Sequence, residues 1–599
     1  MDQILEVDTK MLSEIRRSVR DTGDRGLKVA SKWSAEILMS VPSTVKDAMI
    51  GAWLPDPTLS NATATSFDHL DLNRALEAEE SDEIEAARRC MESRQYLRVS
   101  HFAKGCRSSK GVFLYVYSKF LISEQSAVAD WHKADGTRFQ PPLPINNSIG
   151  ELLEIIEDSK DPFLKFLKAL FCQRLSRTED AITLLLESLS AYPWNWSAWL
   201  LLASCIDTKE ELAKAITRLN LPLNHPLPNM LLLKTYNDLH SPTAFDLKIS
   251  EQLLDRNRFP NSLWVMTQRA RTLFNLAALS KAENQFEQIL KLDPNRIDDI
   301  DVYADILYAA QKREKLSALA DTFSKKDKDR PEICCLLGNI CHMRLEHEKS
   351  VKYLKRATRL DPTCLQAWTH LGFVFMEIGN PPAAIEAFRK ALDLSKKDYK
   401  PWCGMAQAYM ILNLPLYALY YYSKANALIS YEASVLEGVA SCYEILGRYQ
   451  EAIACYRRMI ARTSNTSQLV SLHLKVAKAY RALDDLAEVA NCNYCVIKAF
   501  EAEGHYKLGQ PIPDQLMRSM VECAEYHARA PEGNLLLAHD YLKVCLATPG
   551  VPIEASTAMN AVRARARQIG SNLADDEGRF SLEHRKGMLF RERGYESVN

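Results

Sequence analysis

Small and bulky apolar residues recur at a fixed interval along the C-terminal half of the chain. A glycine or alanine is followed three positions later by a larger side chain, and each such pair returns after 34 residues. A second small residue follows 12 positions after the first and repeats with the same period. Apolar positions with this spacing indicate helices, so each period predicts two helices joined by a turn. The first small residues are Gly338, Gly372, Ala406 and Ala440, and the second are Ser350, Ala384, Ala418 and Ala452.

The 34-residue unit is similar to the tetratricopeptide repeat (TPR), whose pattern is W-x2-LG-x2-Y, A-x3-F-x2-A and then proline. Small side chains let the two helices of a unit approach closely. Each helix pair leaves an apolar face that only the next pair can cover. We therefore expect an all-α fold, a TPR solenoid built as a superhelix of antiparallel helix pairs. The residues expected to pack the repeats are Gly338, Gly372, Ala384, Ala406, Ala418, Ala440 and Ala452.

The period divides the chain into three predicted regions. We expect an N-terminal helical and TPR block over residues 1–260, and a C-terminal TPR superhelix over 261–570. The superhelix includes a phase slip of three residues at 463–466 and ends in an amphipathic capping helix at 553–568. Residues 571–599 are charge-dense and aperiodic, which predicts a disordered tail. Proline, asparagine and serine cluster at 55–80 and 124–150, which predicts loops.

Charge and composition narrow the classes of partner. The chain has 75 lysines and arginines against 76 aspartates and glutamates, a formal net charge of −1. It lacks the basic field that nonspecific nucleic-acid binding uses, so we expect no nucleic-acid partner. No apolar run reaches the roughly 18–20 residues of a membrane span, and the charged N-terminus contains no apolar signal segment. The 15 cysteines are mostly isolated, which suits a reducing compartment. We expect a protein of the nucleus and cytoplasm with no membrane partner.

Motifs for catalysis and cofactor binding are missing from the sequence. It contains no P-loop and no G-x-G-x-x-G, H-E-x-x-H or G-x-S-x-G motif. We expect no catalytic residue, cofactor or metal. Cys492 and Cys495 form a lone C-x-x-C on a predicted helix, where buried thiols are favoured over a zinc site. His342 and His347 are five residues apart, so they do not share one helix face, and solvated turn residues are favoured.

The hollow side of a TPR array is lined by the first helix of each unit, at about positions 2, 5, 9 and 12. In the unit that begins at residue 297 this line is acidic. Asp298, Asp299 and Asp301 are expected on its first helix as a solvated or peptide-facing patch. Carboxylates pair with both arms of a guanidinium, so the line favours a basic or arginine-containing peptide. The candidate residues for a peptide-binding groove are Asp301, Asp305, Glu332, Asn339, His342 and Gln407.

Four strings of sequence resemble the anaphase-promoting complex subunit 8 family, the cell division cycle protein 23 homologues. They are CCLLGNICHMRLEHEK, AWTHLGFVFMEIGN, LYALYYYSKA and RGLKVASKWSAEIL. The resemblance implies a non-catalytic scaffold subunit of a multisubunit ubiquitin ligase that controls mitotic progression. It also implies a homodimer formed through the N-terminal block, contacts with other TPR and scaffold subunits, and a coactivator's arginine-containing C-box in the groove.

The resemblance also bears on single residues. Asn339 falls where the family has a groove asparagine, and we expect Asn339→Ala to weaken coactivator binding with little change in melting temperature. The family is expected to carry a groove glutamate where this chain has Val374. Two other classes are a stand-alone TPR peptide-binding adaptor or co-chaperone, and an enzyme with a TPR arm. The enzyme needs a catalytic domain for which few residues remain. A chaperone-tail clamp is disfavoured because Cys335, His370 and Gly404 occupy its other positions.

Overall fold

The computed structural model describes residues 4–50, 73, 75–133, 146–222, 224–429, 432–463, 465–502, 513–530, 533–546 and 553–569. Within these ranges the chain consists of α-helices and one 3₁₀ turn at Ala103–Gly105, with no strand. None of the helices described there is both long and apolar enough to cross a membrane. The predicted all-α class is confirmed.

The helices follow one another through short connections. From the N-terminus they are α1 Thr9–Asp24, α2 Lys28–Ser40, α3 Ser43–Ile50, α4 Ser81–Glu92, α5 Tyr96–Phe102, α6 Ser109–Lys133, α7 Ile149–Ile155, α8 Pro162–Arg174, α9 Thr178–Ala191, α10 Trp196–Cys205, α11 Lys209–Arg218, α12 Pro226–Asp238, α13 Ala244–Leu253, α14 Leu263–Asn275 and α15 Leu279–Leu292. They continue with α16 Ile300–Ala309, α17 Arg313–Lys326, α18 Pro331–Met343, α19 His347–Leu360, α20 Leu365–Glu377, α21 Pro381–Leu394, α22 Tyr399–Ile411, α23 Pro415–Leu428, α24 Ala433–Ile445, α25 Tyr449–Ile460, α26 Thr466–Ala482, α27 Leu486–Ala502, α28 Asp514–Arg529, α29 Leu535–Leu546 and α30 Ile553–Ile569.

The turn between the two helices of each repeat keeps the 34-residue period. One residue in each turn has a left-handed backbone with φ between +57° and +80°. This conformation ends the first helix and lets its last carbonyls accept hydrogen bonds. Glycine adopts it without steric cost, yet most of these turns use another residue. The residues are Ala277, Gln311, Leu345, Gly379, Asn413 and Gly447, and Asp484 takes the same place after the three-residue slip.

Bulky side chains of the second helices lie directly over small residues of the first helices. The Phe388 ring on α21 is so close to Gly372 that a Cβ there would lie 2.4 Å from Cε1, and a Cβ at Gly404 would lie 2.3 Å from Cζ. Leu354 covers Gly338, where a Cβ would lie 2.8 Å from its side chain. Small residues are therefore needed where these helices cross. The other residues expected to pack the repeats are buried, namely Ala384, Ala406, Ala418, Ala440 and Ala452.

Close contacts group the chain into two compact units, Met1–Met405 and Ala406–Asn599. The predicted boundary at residue 260 falls inside the first unit. One apolar cluster in that unit gathers buried residues between Ile4 and Val265. The division into blocks at residue 260, and a dimer formed by the first block, stay predictions.

In the first unit, α1 and α2 form a hairpin that packs on the first turns of α10 and α14 and on the connection before α16. Trp33 on α2 stacks on Trp196 with ring centroids 4.0 Å apart, and Trp264 meets both rings edge-on. Beside this cluster, Arg296 Nη1 donates to Glu36 Oε2 at 3.2 Å. The hairpin therefore contacts segments that are far apart in the sequence.

Lys397 makes a second long-range contact within the first unit. Its Nζ donates to the carbonyls of Ala203, Ser204 and Ile206, at 3.0, 2.8 and 2.6 Å respectively. These carbonyls lie at the C-terminal end of α10, where the helix leaves acceptors unsatisfied and carries partial negative charge. The lysine therefore caps a helix 194 residues before it in the chain.

The second unit continues the helix pairs. Tyr422 on α23 covers Gly438 on α24, where a Cβ would lie 2.3 Å from Cζ of the ring. After the predicted slip, α26 and α27 lengthen to 17 residues each. Helix α30 packs against α28 and α29, in the part of the chain where the sequence predicts a capping helix.

The two predicted loops are partly helical. Helix α6 continues to Lys133, so the loop predicted at 124–150 is wrong over its first ten residues. That stretch contains neither glycine nor proline to end a helix. Residues 75–79 of the 55–80 segment are helical as well. Residues 51–72 and 134–145, and the tail predicted at 571–599, lie outside the described residues.

Candidate peptide-binding groove

The first helices of successive repeats carry a line of polar side chains in the first unit. On α16, Asp301 and Asp305 are four residues apart, which places both on one face of the helix. On α18, Glu332 and Asn339 are seven residues apart and likewise share a face. Contacts between Asp305, Asn339 and His370 join these helices across the repeats, and we call the line of polar residues on them the inner strip. Its members are Arg271, Asp301, Asp305, Glu332, Asn339 and His370.

Asp305 joins three repeats through hydrogen bonds. Asn339 Nδ2 donates to Asp305 Oδ1 at 3.0 Å, and His370 Nε2 lies 3.0 Å from the same oxygen. Asp305 and Asn339 are 8% and 2% exposed, so this contact is removed from water. Burial raises the pKa of the Asp305 carboxyl, but His370, Lys400 and Asn339 together outweigh burial and hold the pKa below its ordinary value. Asp305 is an internal link between helices, with one oxygen already saturated.

Asp301, one turn earlier on α16, is in the opposite situation. Only the adjacent backbone N–H of Val302 donates to it, at 2.9 Å, and no side chain in the described part of the chain does so. Burial, together with repulsion from Asp299, raises the pKa of Asp301 to about 7, against the opposing effect of Arg271. A half-buried carboxylate with so little compensation is an acceptor for an external cation.

Glu332 provides a second acceptor of this kind. It lies in the first turn of α18, where a negative side chain is favoured by the helix dipole. Its Oε2 is shielded from solvent and receives no hydrogen bond from the residues the structure describes. Buried polar atoms are normally paired, so an unpaired carboxylate oxygen is a position for a donor from a ligand.

Asp298 and Asp299 precede α16, so the expectation that both lie on the first helix is wrong. Helix α16 begins at Ile300, and Asp299 before it has a left-handed backbone with φ of 61°. Lys32 Nζ donates to Asp298 at 2.6 Å, and Arg271 donates to Asp299. Both carboxylates are neutralised within the chain. Of the three predicted acidic residues, Asp301 is the one that no side chain of the described residues contacts as a hydrogen-bond donor.

His342 is buried rather than solvated, which corrects the expectation for it. It lies in the last turn of α18, and the left-handed turn that follows brings His347, the first residue of α19, to a ring-centroid distance of 5.9 Å. His342 Nδ1 lies 3.3 Å from Tyr308 OH, and Nε2 lies 2.6 Å from Glu377 Oε2. The two histidines come together across a helical hairpin, a contact that the spacing along one helix does not predict.

Gln407 belongs to the second unit, where its side chain is exposed. The same unit displays a run of large apolar side chains that are 42% to 68% exposed. Exposed apolar surface of this extent is typical of interaction sites. We call it the apolar patch, and its members are Ile411, Leu414, Leu416, Tyr417 and Tyr420.

Val374 does not face the inner strip. It is 0% exposed and packs with Leu354 and Leu371 in the apolar cluster of α18–α20. The glutamate expected in the family at this position stays a prediction. In this chain the position cannot present a carboxylate to the inner strip, because it is buried in apolar surroundings.

Arg271 and His370 are the inner-strip residues that the sequence analysis did not propose. A further step of 34 residues back from Asp305 leads to Arg271, so the repeat period contained the signal for it. His370 lies one position away from the expected groove positions of its repeat. The period gives no signal for such an off-register contact.

Comparisons with known proteins agree with this architecture. The family described as Anaphase promoting complex subunit 8 / Cdc23 matches residues 10–270, and tetratricopeptide repeat families match 346–399 and 433–465. The anaphase-promoting complex subunit 8 of Arabidopsis thaliana is 32% identical over 402 residues, which cover 62% of this chain and 66% of that protein. The anaphase-promoting complex subunit CDC23 of Saccharomyces cerevisiae is 32% identical over 413 residues, covering 65% of this chain and 64% of that protein. The matches thus span just under two thirds of these relatives.

A solved structure shares the fold. The crystal structure of the APC/C hetero-tetramer Cut9-Hcn1 aligns with a TM-score of 0.52 at 16% identity, covering 82% of this chain and 92% of that one. The helix pairs, the turns that recur every 34 residues and this alignment define a TPR protein. Within that class, the predicted resemblance to the anaphase-promoting complex subunit 8 / Cdc23 family is confirmed.

Proposed function

We propose that this chain is a non-catalytic TPR scaffold subunit of an anaphase-promoting complex, a multisubunit ubiquitin ligase of the cell-division cycle. In this role it binds neighbouring TPR and scaffold subunits and holds a coactivator's C-box segment on the inner strip. The names of the relatives support the complex. The open acceptors of Asp301 and Glu332 support an arginine-containing ligand, and they are the single observation that carries the peptide site.

The chemistry of the inner strip favours arginine over lysine. A guanidinium presents paired donors in a plane and bridges separate carboxylate oxygens, whereas an ammonium acts as a point charge. A guanidinium bound beside Asp301 replaces the missing donor and favours the ionised carboxylate. Asn339 acts in this site through Asp305, because its amide already donates to that carboxylate.

Contacts with other subunits need surface outside the inner strip. The apolar patch of the second unit provides such a surface, since interface centres are enriched in aromatic and apolar side chains. We also propose a homodimer through residues 1–260 and residence in the nucleus and cytoplasm. Light scattering on the purified full chain tests the dimer, which predicts twice the mass of one chain, and fluorescence microscopy tests the location.

Affinity purification of the tagged full chain from its own cells tests the scaffold role. We expect other TPR subunits and a cullin–RING pair to co-purify with the wild-type chain. The double variant Asp301→Asn, Glu332→Gln is expected to keep those subunits and lose the coactivator. The double variant Glu314→Gln, Asp321→Asn removes the same two charges at exposed positions on α17, and as the matched control it keeps both. Recovery of a lone monomer contradicts the scaffold role, and retention of the coactivator by the double variant contradicts the peptide site.

A further inference from the structure

Three potential metal ligands converge where α18, α19 and α20 meet, at a place that the proposed function does not use. His342 lies in the last turn of α18, His347 begins α19 and Glu377 ends α20. One donor atom from each residue lies within 4.8 Å of the other two. The nearest pair is His342 Nε2 and Glu377 Oε2 at 2.6 Å, and His347 Nδ1 lies 3.7 Å from the same oxygen.

We propose that His342, His347 and Glu377 bind one Zn²⁺ ion, with water as the fourth ligand. Two imidazoles and a carboxylate are a ligand set that zinc uses with an open fourth position. At metal–ligand distances of about 2.0–2.1 Å, tetrahedral ligand atoms lie about 3.3 Å apart. To reach this geometry the 2.6 Å contact must widen and the 3.7 Å contact must narrow, each by less than about 1 Å. The two histidine nitrogens, which lie within 4.8 Å of each other, must reach the same separation.

The surroundings favour a metal over a plain ion pair. The Nδ1 of His347 is shielded from solvent and makes no hydrogen bond among the described residues, and its contact with Glu377 Oε2 is too long for one. His342 is oriented by Tyr308, whose ring stacks on it at 5.6 Å and whose hydroxyl lies 3.3 Å from Nδ1. An outer partner that fixes the imidazole in this way is the usual arrangement for a metal-binding histidine.

The His342 imidazole has two neutral tautomers, and each fits one state of the site. In one, Nε2–H is donated to Glu377; in the other, Nδ1–H is donated to Tyr308 OH and Nε2 is free to ligate the ion. Exchange with solvent water converts one tautomer into the other, so binding to the neutral ring releases no net proton. The Glu377 side chain is 47% exposed, so the ion can enter from solvent. The bound ion ties the turn between the two helices of one repeat to the first helix of the next.

Competitive titration with Zn²⁺ tests the site in the full chain after removal of metals. The parent carries Cys495→Ser, because an exposed thiol binds zinc on its own. His347→Asn removes the ligand whose Nδ1 has no hydrogen bond, and His101→Asn is the matched control at an exposed histidine on α5. We expect one Zn²⁺ per chain in the parent and the control, and at least a tenfold weaker affinity in His347→Asn, since loss of even an outer partner costs about 10–100-fold.

Two further measurements guard against misfolding and against other sites. The melting temperature in the presence of chelator is expected to be equal for parent and His347→Asn, while added Zn²⁺ raises it only in the parent and in His101→Asn. X-ray absorption of the bound ion is expected to show nitrogen and oxygen ligands without sulfur. Equal affinity in parent and His347→Asn, sulfur ligation, or no binding by the parent at micromolar Zn²⁺ overturns the proposal.

Discussion

Asp301 and Asp305 are one turn apart on the same face of α16, yet they have opposite surroundings. Asp305 is contacted by Asn339 and His370 from the next two repeats, and its pKa is lowered. Asp301 receives only the N–H of the adjacent residue, and its pKa is raised to about 7. The difference comes from the neighbours, because residue type and helix are the same.

Within one groove, therefore, Asp305 serves the stability of the fold and Asp301 is available to bind a ligand. A buried carboxylate whose partners belong to the chain contributes to stability, and little of its hydrogen-bonding capacity is left for a ligand. A shielded carboxylate that accepts few hydrogen bonds lowers the stability of the fold, and it becomes more stable when a cation binds to it. Many binding sites keep such locally unfavourable groups, because the ligand completes them.

The largest loss of stability is expected at Gly372, on the side of α20 that packs against α21. In Gly372→Leu, the new Cβ alone would lie 2.4 Å from Cε1 of Phe388, which leaves no room for the leucine side chain. Overpacking of this kind is expected to lower the free energy of unfolding by about 3 kcal/mol. Thermal melting followed by circular dichroism checks this. The control is Gly150→Leu, a helical glycine with open space around its Cβ, which is expected to melt like wild type.

Breaking the Asp305 link is the next largest change. Asp305→Ala leaves the Asn339 amide and the His370 imidazole facing a buried gap, which is expected to cost about 2 kcal/mol of stability. The same measurement should show that Asn339→Ala also lowers the melting temperature, contrary to the expectation from sequence, because the asparagine is buried and bonded. Unchanged melting in both variants would mean that the network contributes nothing.

The pH dependence of stability tests Asp301. In the unfolded chain an aspartate has a pKa near 3.9, and in the folded chain the pKa of Asp301 is about 7. The folded state therefore holds its proton more tightly, and stability falls as pH rises from about 4 to about 7. Asp301→Asn removes this loss. We expect it to match wild type near pH 4 and to be more stable above pH 7, on the order of 1–2 kcal/mol after screening. Melting curves that differ by a constant amount at all pH values contradict this assignment.

The smallest change in stability is expected from a substitution in a turn outside the groove. Gln311 lies in the turn after α16 with φ of 57°, a conformation that costs a side-chain-bearing residue energy. Gln311→Gly is expected to stabilise the repeat by about 0.5–1 kcal/mol. Ala310→Gly, one residue earlier at φ of −78°, is expected to destabilise it instead. The two melting temperatures should move in opposite directions.

Much of the fold could be predicted from the sequence, because the repeat period is a property of the chain alone. The spacing of Gly338 and Gly372 fixed the helix pairs, and the same period placed Asp301, Asp305 and Asn339 on one surface. The partners of these residues could not be predicted in the same way. The bond between Asp305 and His370, the burial of Val374 and the meeting of His342 with His347 depend on how separate helices pack. Asp299 adopts a left-handed backbone that ends the connection before α16, which residue type does not reveal.

In the proposed groove, Asp301 and Glu332 receive an arginine of a bound peptide. Fluorescence anisotropy with the full chain compares a coactivator C-box peptide with the same peptide carrying citrulline, the neutral isostere, in place of arginine. We predict that wild type and the control Glu314→Gln, Asp321→Asn prefer arginine by at least about tenfold, since a hydrogen bond to a charged group contributes about 1.5–3 kcal/mol. The preference should disappear in Asp301→Asn, Glu332→Gln. Equal binding of the two peptides by wild type, or an undiminished preference in the double variant, would contradict the account.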